Sequence, residues 1–109
     1  MAIQLTNNAT TTTAVALNAL DTTVTVASGT GALFPVLGVS DFFYATLQTT
    51  GNTYEIVKVT ARSGDVMTIV RAQENTAASN FPASSRFELR VTVENIRSLV
   101  TGDLDFLLL

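Results

Sequence analysis

Groups able to do acid–base, nucleophilic or metal chemistry are few and scattered in this sequence. It holds nine Asp and Glu, six Lys and Arg, two tyrosines, and neither histidine nor cysteine. Ser84 and Ser85 have no imidazole to activate them. Without cysteine there is no disulfide framework and no thiolate metal site. Glu88 falls between Arg86 and Arg90, the pattern of a solvated strand face, and Glu55 and Lys58 lie near a turn and read the same way. Asp103 and Asp105 are a carboxylate pair of the kind that suits calcium, yet no further oxygen ligands follow at loop spacing. No phosphate-cradling glycine loop or dinucleotide fingerprint is present. The chain is therefore expected not to be an enzyme, and to hold no metal and no cofactor.

The elements around these groups come from a chain of 109 residues, one domain's worth. Its hydrophobic fraction is 47% and its charged fraction 14%, against about 25% charged in ordinary soluble domains. With a net charge of −3 and Lys58 its one lysine, it has no electrostatic footprint for nucleic acid or an anionic membrane surface. The N-terminus lacks the basic start and continuous apolar run of a signal peptide. Residues 22–40 are uncharged but too often interrupted by Thr, Ser and Gly for a membrane helix. A small domain has much surface for its volume and needs polar residues to cover it. So few charges imply that part of this surface is covered, most economically by copies of the same chain or by a larger assembly.

Threonine, 18 residues of it, favours strands, because β-branched side chains lose freedom in helices and pack well on pleated surfaces. Residues 1–13 read as an extended N-terminal arm, 14–93 as a β domain, and 94–109 as a short helix with an apolar tail. Thr22 to Val26 alternates, which points Val24 and Val26 inward. Leu33-Phe34-Pro35 begins a loop pinned by its apolar pair. Phe42–Thr50 and Thr53–Arg62 flank Gly51-Asn52, a two-residue signal for a primed turn. With Thr50 opposite Thr53, Phe42 and Tyr44 share an apolar face with Val57, Val59 and Ala61, Leu47 lies opposite Ile56, and Lys58 faces Ala45. Ser63-Gly64-Asp65 turns the chain into Val66–Arg71, with the glycine supplying positive φ. The result is a hairpin meander. Residues 72–85 read as a long loop, and Arg86–Val93 as a strand with Phe87, Leu89, Val91 and Val93 inward. The fold class is all-β: a small antiparallel sandwich or barrel.

A short helix is expected over Glu94–Val100, capped by Gly102. The ending Phe106-Leu107-Leu108-Leu109 gains nothing by fraying in water. It either folds back onto the core of its own chain or inserts into a neighbouring subunit. The charge deficit favours the second, which makes Phe106, Leu107, Leu108 and Leu109, together with Phe34, the expected subunit contacts.

Residues 22–93 resemble a module found in bacteriophage structural proteins. The likeness rests on Thr23-Val24-Thr25-Val26-Ala27-Ser28, Gly31 and Phe34-Pro35, then Tyr54-Glu55-Ile56-Val57-Lys58-Val59-Thr60-Ala61. Ser63-Gly64-Asp65 and Thr68-Ile69-Val70-Arg71-Ala72-Gln73-Glu74-Asn75-Thr76-Ala77 complete it. The order and spacing of these pieces carry the resemblance over about two thirds of the chain. The pattern has glycine where this chain has Ala72, Asn75 and Ser85, which suggests a loop of different backbone conformation. Arg71 and Glu74 match the pattern, and their implied role is to support the 72–85 loop by hydrogen bonds.

The resemblance implies a virion component without activity of its own, assembled in the bacterial host from copies of itself and other virion proteins. A tail-associated adaptor or fibre anchor is expected first, and a capsid decoration protein clamping shell subunits is a close variant. A glycan-binding module of a host-recognition fibre is the third reading. It would need an aromatic platform, for which Tyr54 is the available residue.

Overall fold

The computed structural model describes residues 2–107, and side chains for residues 2–100. Mostly antiparallel β structure is followed by one helix. The elements are β1 (Thr10–Thr12), β2 (Thr23–Thr25), a 3-10 turn (Thr30–Leu33), β3 (Phe43–Gln48), β4 (Tyr54–Ser63), β5 (Val66–Gln73), β6 (Arg86–Glu88) and α1 (Val93–Leu107). All six strands form one sheet in the order β1-β6-β3-β4-β5-β2. The expected meander is its centre.

The sheet curls. Register shifts in β4, between Ile56 and Lys58 and between Val59 and Ala61, bend the longest strand. The two outer strands then meet: the Ala14 N–H donates to Thr25 O at 2.8 Å and the Ala27 N–H to Thr12 O at 2.9 Å. Inside the curl, alternate residues of each strand form the core, including Val24, Phe43, Ala45, Leu47, Val57, Val59, Met67, Ile69 and Phe87. Apolar burial is worth about 25 cal/mol per Å², so this interior is the main source of stability.

The β3–β4 register differs from the expected one by a residue. Phe43 pairs with Val59, Ala45 with Val57, and Leu47 with Glu55 rather than Ile56. The connection is not the two-residue primed turn. Asn52 N–H donates to Thr49 O at 3.2 Å and Thr49 N–H to Thr53 O at 2.9 Å. Asn52 sits at φ 69°, so the loop is a tight turn closed by a left-handed residue, a position asparagine tolerates. Because side chains alternate, the slip exchanges the faces. Phe43, Ala45 and Leu47 join Val57 and Val59, whereas Phe42 and Tyr44 lie on the opposite side, where Lys58 stands over the Phe42 ring at 4.6 Å.

Three further expectations are corrected. The 1–13 stretch is not a free arm, since β1 pairs with β6 and Ile3 bridges Phe42. The 86–93 strand stops at Glu88. Asn8, at φ 58°, turns the neighbouring segment aside, Leu89 N–H makes the last contact to Ala9 O, and Val91 and Val93 are left exposed. The helix starts at Val93 and runs through Gly102 to Leu107. A glycine costs only about 1 kcal/mol inside a helix, so Gly102 does not by itself end this one.

Phe34 is a fourth correction. Expected at a subunit contact, it is 2% exposed and packs between Phe43 and Phe87 at centroid distances of 5.9 and 5.4 Å. The loop carrying it folds over one end of the core. Gly31 permits this close approach: a Cβ there would lie 2.1 Å from Gly64 O. Asp65 fixes the same corner by accepting from Gly29 N–H and Gly31 N–H, both at 2.9 Å. Those bonds hold its carboxyl below the usual range.

Candidate assembly surface and the clasp opposite

Two places concentrate the side chains that the sequence singles out. The first is a clasp around Glu55 and Arg71. Glu55 has the same parity on β4 as Val57 and Val59, so it points into the interior and is 0% exposed. The solvated reading of Glu55 is therefore wrong, and the alternation of β4 was the signal that could have found it. Arg71 meets its carboxylate with a two-pronged pair, Nε to Oε2 and Nη2 to Oε1, both at 2.8 Å. Ala72 N–H and Ser79 N–H donate to the same carboxylate at 2.9 Å each. The remaining guanidinium N–H groups donate to Asn18 O, Asp21 O and Ser79 O. All five arginine donors are used. Burial alone would raise the Glu55 pKa, but the Arg71 hydrogen bonds, the two amides and the Arg71 charge outweigh it and leave the pKa lowered.

This clasp ties the 72–85 loop and the 18–21 turn to the sheet, the loop-support role expected of Arg71. Glu74 acts elsewhere. Its Oε1 accepts from Glu94 N–H at 3.2 Å, at the start of α1, and its Oε2 is buried without a partner.

The second place is the surface around α1. Thr92 is the helix cap, its Oγ1 accepting from Asn95 N–H at 3.1 Å. Asn95, 3% exposed, then supplies what β6 lacks. Where β6 has ended, the Asn95 side-chain amide takes the place of a strand beside Tyr44: Oδ1 accepts from Tyr44 N–H and Nδ2 donates to Tyr44 O, both at 3.0 Å. Nδ2 also donates to Arg90 O at 2.8 Å. Tyr44, under this junction, has its hydroxyl pKa raised by burial and then by the charges of Glu94 and Glu74.

Beyond Asn95 the helix is poorly covered. Val91, Val93, Ile96, Leu99 and Val100 are exposed, with Leu5 beside them. A groove of about 340 Å³ runs between residues 5–8 and the helix, walled by Leu5, Leu89, Val91, Ile96 and Leu99. Sequence reasoning placed Val91 and Val93 inside and passed over Leu5, Ile96, Leu99 and Val100. A 3.6-residue period at 96, 99 and 100 was the available signal. The side chains of Phe106 and Leu107, and all of Leu108 and Leu109, lie outside the described residues.

Charge contributes little to this surface. The Glu94–Arg97 pair is internal to the helix, and the Glu88–Arg90 pair at 2.7 Å borders it. Thr10 Oγ1 also donates to Glu88, and this bond and Arg90 lower the Glu88 pKa against the opposing effect of burial. Among the described residues, no group of three or more acidic side chains could hold a metal ion. No helix is long and apolar enough to cross a membrane among the described residues.

No protein-family model matches this chain, and no curated protein matches it in sequence.

Proposed function

We propose that this chain is a non-enzymatic structural protein of a phage virion, a tail-associated adaptor or fibre anchor that works by symmetric self-association. The observation that carries the self-association is the set of exposed aliphatic side chains on and beside α1: Leu5, Val91, Ile96 and Leu99 line one groove, and Val93 and Val100 are exposed on the same helix. Monomers do not usually leave so many large aliphatic side chains together in water, and patches of this kind mark interfaces. Covering them on each of several copies multiplies a modest contact by the symmetry of the ring.

The virion assignment rests on the resemblance. Two features support it. Arg71 and Glu55, both in the resembling segments, build the clasp that holds the long loop. Ala72 and Asn75, where the resembled pattern has glycine, take φ of 56° and 65°, the left-handed backbone that glycine favours, so the change of backbone expected from losing glycine is not seen at these two positions. The finer architecture in this reading is a closed six-stranded barrel, supported by the hydrogen bonds between the outer strands. Closure would leave no long strand edge for pairing and direct assembly to the helix surface.

Light scattering of the purified protein tests the reading. A mass of six or twelve chains is expected for a component on the tail axis. A three-chain species would replace it with a capsid decoration protein, and a single chain at high concentration would overturn self-association.

A further inference from the structure

The apolar side chains of α1 divide by their direction around the helix axis. With 3.6 residues per turn, Val93, Ile96 and Val100 fall within about 60° of one another. Their exposures are 63%, 51% and 56%. Asn95 lies on the other side, buried and bonded to Tyr44 and Arg90. Leu99 falls between the two, in the groove with Leu5 and Leu89. The sheet therefore takes one side of the helix and leaves a separate stripe at 93, 96 and 100. Its spacing, three residues and then four, is that of a coiled-coil seam. The same count next reaches Asp103, so the apolar seam is the stretch 93–100.

We propose that this stripe is self-complementary and that its occupant is α1 of a second copy, parallel and in register. A seam of this spacing packs against its own kind, each side chain filling a hole between four of the facing helix. Rotation about one axis along the helices points every copy in the same direction. Charge agrees with that orientation. Arg97 flanks the seam, and antiparallel packing would set the two copies of Arg97 against each other, whereas parallel packing keeps them apart. The seam is short, and a free helix of this length would be marginal in water. Here Thr92 caps the helix and Asn95 pins it to β3 within one chain. Association then has little ordering left to do.

This inference rests on the self-association reading and names the segment that meets its counterpart. The chain has no cysteine, so single cysteines report which residues lie together. Ile96→Cys and Val100→Cys are compared with Val36→Cys, at an exposed position on the loop after Pro35. Each full chain is weighed by sedimentation, treated with a short bis-maleimide and resolved by denaturing electrophoresis. In register, 96 meets 96 and 100 meets 100. Both variants should link to themselves about tenfold or more faster than Val36→Cys, because the seam raises the effective concentration of the thiols. An equimolar mixture of Val93→Cys and Val100→Cys that links faster than either variant alone would mean antiparallel helices and overturn the proposal. Slow linking at 96 and 100 in a protein that sediments as a multimer would also overturn it, and would leave self-association to another surface. A single-chain mass for the wild type would remove both.

Discussion

The Glu55–Arg71 clasp and the α1 surface solve the same problem in opposite ways. At the clasp a charged pair is taken out of water and every donor and acceptor finds a partner within the chain. At α1 a single polar side chain, Asn95, makes the junction to β3, and aliphatic side chains beyond it stay in water. One region is complete in a single copy. The other leaves aliphatic side chains exposed, and in the function proposed above a neighbouring copy covers them. On that proposal the difference separates residues that hold the fold from residues that would hold an assembly, and substitutions should divide the same way.

The largest effect is expected at the clasp. Arg71→Ala strands a buried carboxylate, and losing one partner of a buried pair costs about 3–5 kcal/mol. Urea unfolding should show that loss. If Arg71→Ala unfolds at the wild-type midpoint, the clasp is not a structural support. The next is Asn95→Ala, which leaves Tyr44 N–H and C=O without their partner groups at a buried position. About 1–3 kcal/mol is expected, with faster hydrogen exchange in α1 than in β4.

Acid should act through the clasp. The Glu55 pKa is lower in the folded chain than its ordinary value of 4.5, so the unfolded chain takes up the proton first. The stability from this pair is complete above that ordinary value and is lost as pH falls through the lowered folded value. Glu55→Gln should therefore be less stable at pH 7 and flatten the acid limb of the stability profile. An unchanged acid limb would mean that other carboxylates govern acid unfolding.

The smallest change in stability, with the clearest change in mass, is expected on the helix. Ile96→Glu and Val100→Glu sit at exposed positions, where substitutions usually fall within about 0.5 kcal/mol. They should leave the unfolding midpoint nearly unchanged while reducing the number of chains per particle. A midpoint drop like that of Arg71→Ala would show that the helix surface is packed within one chain, and would erase the contrast.

Much of the centre of this fold is written in local patterns. The alternation of Val57 and Val59 gave one inward face of β4, and Ser63-Gly64-Asp65 gave the turn into β5. Register was lost at one residue: Asn52 adopts a left-handed backbone, and whether Gly51 or Asn52 would do so depends on how the strands twist together. That slip moved Phe42 and Tyr44 to the wrong face. Val91 and Val93 failed for another reason. Their alternation is real, but a strand needs neighbours, and Asn8 turns the adjacent segment away. The exposed aliphatic surface at α1 was legible only as a shortage of charge, because exposure depends on which elements stop short. Glu55 could have been found, since its parity matched Val57, but its partner Arg71 lies 16 residues further along and is brought to it by the β4–β5 hairpin.

Sedimentation equilibrium of the wild-type chain and of an Ile96→Glu/Val100→Glu double variant, run side by side at the same concentrations, decides whether the helix surface is an interface. The wild type should sediment as a defined multiple of the chain mass and the double variant as a single chain with an unchanged unfolding midpoint. Identical masses for the two proteins would contradict the account.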